Sequence, residues 1–127
     1  MFGQNRVVTL VSQDFDANLY RSQKTDKELI LFYKNPFDPA MAIFATVAMT
    51  SVFPQFSVVN TLVENSVQKT LDQISENVDN KLHQLLQKTF ENRPFILYYV
   101  DGQPVDVYQG SMDAENLIHY TMVKCLD

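Results

Sequence analysis

Leu29-Ile30-Leu31-Phe32-Tyr33, followed by Lys34-Asn35-Pro36-Phe37-Asp38-Pro39-Ala40 and the apolar run on to Phe53, is the stretch on which the fold turns. Five consecutive aliphatic and aromatic residues read as a strand buried on both faces. Pro39 fits the first turn of a helix, where its missing N–H has no intrahelical partner to lose. The run from Ala40 to Phe53 is interrupted only by Thr46, Thr50 and Ser51. It is shorter than the roughly 18 residues a membrane span requires, so it is expected to be a central, buried helix that stops before Pro54. The unit is strand, tight turn, helix.

Upstream, Val7-Val8-Thr9-Leu10-Val11 suits a first strand, and Ser12 or Asp14 can cap a helix with Phe15, Leu19 and Tyr20 on one face. Downstream, Phe56-Ser57-Val58-Val59-Asn60 is a short strand candidate that a loop could absorb. From Val67 to Phe90, apolar residues recur mainly at intervals of three and four, which predicts one long amphipathic helix or two in succession. Its other face, with Lys69, Asp72, Glu76, Asp79, Lys81 and Lys88, reads first as solvated surface and second as a contact face. Phe95 to Val100 is a strong strand, Asp101-Gly102 a hairpin signal and Pro104 to Tyr108 the return strand. Gly110 ends it. Ser111 is expected to cap a last helix that turns Ala114, Leu117, Ile118, Thr121, Met122 and Cys125 to one side.

The 127 residues suit one domain spanning 1–127, with 46% apolar residues to fill a core. Ten Lys and Arg against fifteen Asp and Glu give a net charge of −5, and the basic residues stand singly. That disfavours nucleic acid, whose phosphates call for a clustered cationic face. The only cysteine is Cys125, so no intramolecular disulfide and no multi-cysteine metal site can form. Met1 to Arg6 lacks the apolar core of a signal peptide, and no Asn-x-Ser/Thr acceptor occurs. A reducing compartment is therefore expected. His83 and His119 fall on different helices without second ligands, and no phosphate loop or hydrolase nucleophile turn is present, so no metal or cofactor is expected. Asp14-Phe15-Asp16 is explained by helix capping rather than as a catalytic carboxylate pair.

The order β-α-β-α-β-α-β-β-α resembles the thioredoxin family over nearly the whole chain. Val7-Val8-Thr9-Leu10 with Asp14-Phe15-Asp16 looks like its opening strand and helix start. Phe32-Tyr33 resembles the Phe-Trp pair before the redox turn, Pro94 the family's cis-proline, and Asp101-Gly102 through Gly110 its last hairpin with a glycine bulge. The resemblance implies an α/β fold: a central mixed sheet of four to five strands flanked by helices, with an expanded or doubled third helix.

The departures remove the family's reaction. Phe37-Asp38-Pro39-Ala40 stands where Cys-Gly-Pro-Cys would be. Leu31 replaces the buried acid that moves protons, and Asn60 falls near its partner lysine. Thiol-disulfide exchange needs an attacking thiolate and a resolving thiol, so the chain is expected not to be an oxidoreductase.

The fold would bring Pro36, Phe37, Asp38, Arg93, Pro94, Gln109 and Gly110 together at one end of the sheet, as a groove for a protein partner. In thioredoxins the residue before the cis-proline pairs its backbone with an incoming strand, which implies that role for Arg93. Phe37 either folds down over the sheet end or stands out as an interface anchor. The expected function is a non-enzymatic interaction or structural module of a larger assembly, with a minor capsid or virion component of a large DNA virus as the particular guess. The alternatives are a peptide-binding adaptor or chaperone-like domain and, third, a single-cysteine redox enzyme using Cys125. Localisation is expected in the cytoplasm or within a virion, with the oligomeric state open.

Overall fold

β2 (Lys27–Tyr33) is the strand around which the others assemble, hydrogen-bonded on both edges. The computed structural model describes residues 7–51, 54–89 and 94–125. Among them, five strands form one sheet in the order β1-β3-β2-β4-β5. β1 (Val8–Thr9) and β3 (Gln55–Asn60) run parallel to each other, and β3 runs parallel to β2. β4 (Phe95–Val100) and β5 (Gln103–Val107) continue antiparallel. The Phe56–Asn60 segment is thus an interior strand, held between β1 and β2.

Helices cover both faces, which is why β2, β3 and β4 are continuous apolar runs rather than alternating ones. Side chains of successive strand residues point to opposite faces. Leu29, Leu31, Phe56, Val58 and Ile96 therefore pack with Phe44 and Val47 of α1 (Pro39–Thr50) and Leu117 of α4 (Ala114–Cys125). Ile30, Phe32, Val59 and Leu97 pack on the other face with Leu71 and Ile74 of α2 (Asn65–Glu76) and Leu86 of α3 (His83–Gln87). The periodic segment after Val67 is two helices. Asparagine side chains break it: Asn77 Oδ1 accepts from the Asp79 N–H and Asn80 Oδ1 from the Leu82 N–H, at 3.1 and 2.9 Å. Lys69, Asp72, Glu76, Asp79, Lys81 and Lys88 of this segment are exposed.

Three expectations are corrected. Between Ser12 and Tyr20 there is no α-helix, only a 3₁₀ turn at Ser12–Asp14 and irregular chain. The acids expected to start a helix bind nearby backbone instead: Asp14 Oδ2 accepts from Val11 N–H, and Asp16 Oδ1 from Asn18 and Tyr20 N–H. Leu19 takes a left-handed φ of 62° and is fully buried. Second, α4 is capped by Asp113, whose Oδ1 accepts from Asn116 N–H at 2.8 Å, rather than by Ser111. Met122 points outward at 55% exposure, while the thiol of Cys125 lies outside the described groups. Third, α1 is buried on one face only. Ala42, Thr46, Met49 and Thr50 are exposed, and the two threonine hydroxyls donate to their own helix at Ala42 and Val47 carbonyls.

Where a helix would have covered the start of β2, the irregular segment places Arg21 against Glu28. Both are buried, and Arg21 Nε and Nη2 reach Glu28 Oε1 and Oε2 at 2.9 and 3.3 Å. Ser57 Oγ and Gln55 Nε2 donate to Glu28 Oε2 at 2.6 and 3.0 Å, and Thr25 Oγ1 to Oε1 at 3.3 Å. Every lone pair of the carboxylate that faces protein is engaged, as a buried charge requires. Nothing in the sequence analysis marked this pair. The Asp101-Gly102 turn, with φ of 52° and 81°, closes the β4–β5 hairpin as expected, and the Gly102 carbonyl accepts from Arg21 N–H. Val105 is the extra residue of a bulge opposite Tyr98 and Tyr99, and Pro104 is tolerated because β5 is an edge.

Tyr99, paired in register with Glu28, is fully buried and donates its hydroxyl to the Leu19 carbonyl at 2.8 Å. Burial, with the Glu28 carboxylate adding to it, holds its phenol well above the ordinary value. The protonated phenol is therefore favoured in the folded chain. Its contribution is complete below the unfolded phenol's pKa of about 10 and is lost as pH rises beyond it. Urea titrations should show stability falling above pH ~10. Tyr99→Phe should flatten that slope while costing about 1–3 kcal/mol at neutral pH, because the Leu19 carbonyl loses its donor.

Candidate functional site

The carboxyl ends of the parallel strands β2 and β3 lie side by side, Tyr33 opposite Asn60. From Tyr33 the chain passes to α1 on one face of the sheet, and from Asn60 to α2 on the other. Adjacent parallel strands whose connections diverge leave a crevice between their loops, the place where open α/β sheets hold ligands. Here the crevice is a cleft of about 370 Å³. Its floor is apolar, made by Phe32, Leu71, Leu86 and Phe95, with the Phe32 and Phe95 rings stacked at 5.0 Å and 8°. Its mouth is polar, with Lys34 and Asp38 on the β2 side and Gln68 and Asp72 on α2.

Each loop is built by an asparagine. Asn35 Oδ1 accepts from Phe37 N–H and the Asn35 carbonyl from Asp38 N–H. Asp38 then caps α1, its Oδ1 accepting from Ala40 N–H at 2.9 Å, with Pro39 as the first helical residue. The helix N-terminus is thus occupied by its own cap. The result is a Phe37 ring that is 90% exposed beside an Ala40 methyl that is buried. In the second loop Asn60 Oδ1 accepts from the Leu62 and Val63 N–H groups, and both apolar side chains project, at 66% and 68% exposure. Thr61, between the loops, donates its N–H to the Tyr33 carbonyl. Three large apolar side chains consequently stand on loops that border one cleft.

Of the residues expected to converge, Asp38 and Pro94 line the cleft. Pro36 and Phe37 are exposed on its rim, which decides the open question about Phe37 in favour of projection. Gln109 and Gly110 follow β5 at the same end of the sheet, separated from β2 by β4, and are not among the residues that line the cleft. Gly110 has a packing reason to be glycine, since a Cβ there would fall 2.6 Å from the Tyr108 hydroxyl, which donates to the Ser111 carbonyl. Arg93 lies outside the described residues, and with it the isomer of the Arg93–Pro94 bond. Leu31 is fully buried in the α1-side core beside Phe44 and Phe56, as an aliphatic residue at the acid's position should be. Sequence reasoning missed Lys34, Thr61, Gln68 and Asp72 as lining residues. The readable signal was their place directly after two parallel strands and on the helix that follows.

Among the described residues no three His, Cys, Asp or Glu side chains gather as a metal site, and no helix is long and apolar enough to cross a membrane. His83 is buried and engaged, its Nδ1 at 3.3 Å from the Ile74 carbonyl and its Nε2 at 2.9 Å from the Gln87 amide. His119 is exposed.

No protein-family model and no curated protein sequence matches the chain. Solved structures do. The J-Trx1 fragment of ERdj5 is similar over 92% of this chain at 16% identity and a TM-score of 0.59, and this chain spans 49% of that fragment. It spans 14% of a second ERdj5 structure, at 12% identity and a TM-score of 0.56. Thioredoxin f2 of Chlamydomonas reinhardtii is similar over 96% of this chain and 99% of its own, at 17% identity and a TM-score of 0.57. With five strands in one mixed sheet and helices on both faces, the chain has a thioredoxin-like α/β fold.

Proposed function

We propose that the chain is a non-enzymatic thioredoxin-fold module that binds a protein partner through the sheet end carrying Phe37, as part of a larger assembly; a virion is one such setting. The observation that carries this reading is the Phe37 ring, nine-tenths exposed at the position where the resembling family places its attacking cysteine. The buried Ala40 stands at the resolving position. Hydrocarbon at both positions leaves no thiolate to attack and no thiol to resolve. The fold itself gains nothing from Phe37, whereas covering such a ring is worth about 1.5–3 kcal/mol. Exposed aromatic anchors beside a pocket are typical of contact hot spots, and Leu62 and Val63 extend the same apolar rim.

Pull-down from native material should lose partners when Phe37 is replaced by alanine, while the melting temperature stays within the range of a neutral surface change, about 0.5 kcal/mol. Retention of every partner by Phe37→Ala and by Leu62→Ala/Val63→Ala removes this face from the account. Insulin reduction with a dithiol reductant should run no faster than the buffer control. A rate proportional to protein concentration, or rapid alkylation of Cys125 in the folded chain, would restore the enzymatic reading.

A further inference from the structure

The same face presents both a projecting ring and a hole that suits it. Phe37 stands on the rim formed by Asn35 and Asp38, and the cleft behind that rim has an aromatic and aliphatic floor. An apolar cavity of about 150 Å³ accepts benzene, so a cleft of about 370 Å³ has room for a benzyl group and its neighbours. Phe37 does not fill its own cleft: its ring is exposed and is not among the side chains that line it. In a two-fold dimer, however, a patch meets its own copy, and each ring can enter the other's hole.

The charges agree. Lys34, half-buried on the β2 side of the mouth, makes no ion pair among the described residues, where Arg21 pairs with Glu28 and Lys124 with Asp106. Asp72, exposed on the α2 side, accepts only from Gln68 within its own helix. Asp38, on the same wall as Lys34, is turned to Ala40 N–H as the cap of α1, so Lys34 and Asp72 are the charges left to form two reciprocal pairs when the face is doubled about a two-fold axis.

We infer that a second copy of this chain occupies the face, each copy's Phe37 seated over the partner's Phe32 and Phe95 and each Lys34 opposite the partner's Asp72. This rests on the reading of the Phe37 end as a contact surface and names its occupant. A dimer of this kind hides the face that another protein would use, so self-association and partner capture compete.

Sedimentation equilibrium of the full chain, from micromolar into the millimolar range, tests it. The wild type should dimerise. Phe37→Ala should weaken the dimer about a hundredfold or more, since two rings are uncovered and each is worth tenfold or better. Lys34→Glu alone and Asp72→Lys alone should each weaken self-association, because like charges then face each other. An equimolar mixture of the two single variants should form a heterodimer close to wild-type strength, with both opposite-charge pairs restored. A wild type that stays monomeric throughout, a dimer indifferent to Phe37→Ala, or a mixture no stronger than its separate components overturns the inference. Loss of partner capture by Phe37→Ala in a monomeric wild type would overturn the dimer while leaving the contact face standing.

Discussion

Arg21→Ala is expected to destabilise the chain by about 3–5 kcal/mol, lowering its melting temperature by about 10–20 °C in calorimetry. The loss is large because the guanidinium satisfies a carboxylate that has no access to water. Glu28 is fully buried, and the fork of Arg21 holds both of its oxygens. With Arg21 gone, Ser57, Gln55 and Thr25 still donate to Glu28, but the charge they surround is no longer balanced. The same substitution leaves the Asp14 carbonyl without its Nη1 donor at 3.4 Å. A paired replacement, Arg21→Met with Glu28→Gln, should cost less than Arg21→Ala alone, because it removes both charges and keeps an oxygen for Ser57. A double variant as unstable as the single would show that the loss comes from packing and not from an unpaired charge.

Leu31→Asp is expected to cost about 3–8 kcal/mol at neutral pH. Removing a buried leucine side chain contributes about 2–5 kcal/mol. A carboxyl placed there without a partner contributes about 1–3 kcal/mol even when neutral. Leu31 is fully buried in a core cluster that also holds Phe44, Phe56 and Val58, its partner across β3 is the apolar Val58, and Asn60 spends its side-chain oxygen on Leu62 and Val63. Burial would raise the new acid's folded pKa above the unfolded value of about 3.9. The variant should therefore be least unstable below that value and lose further stability as pH rises through its folded pKa. Chemical denaturation at two pH values checks this. A variant as stable at neutral pH as in acid would mean that water or a donor reaches position 31.

The parts of the fold that were legible in the sequence are those where one local rule acts alone. β2 and β4 are continuous apolar runs because both faces of the sheet are covered. Asp38-Pro39 starts α1 because a cap and a proline ask for nothing distant. The missing first helix was illegible because Asp14 and Asp16 serve helix starts and isolated turns equally well, and only the tertiary demand of Leu19, Arg21 and Glu28 chooses the turn. Glu28 escaped notice because an acid at the end of a strand normally faces water. At the candidate site, the redox-turn position and Pro94 could be named from the sequence. The cleft could not, since it depends on Leu71 of α2 and Leu86 of α3, 39 and 54 residues beyond Phe32, closing over the end of β2. The sheet end at which Gln109 and Gly110 fall was legible too, but not that β4 stands between them and β2.

Apart from Thr61, which donates to the Tyr33 carbonyl, the two asparagine-built loops are shaped from within. Asn35 and Asn60 bond only within their own turns, and the strands they leave are among the most buried in the molecule. The exposed rim of this sheet end and the buried core are therefore written in separate places along the chain. Residues 36–37 and 62–63 are exposed, so exchanging them through a library is expected to leave the scaffold folded.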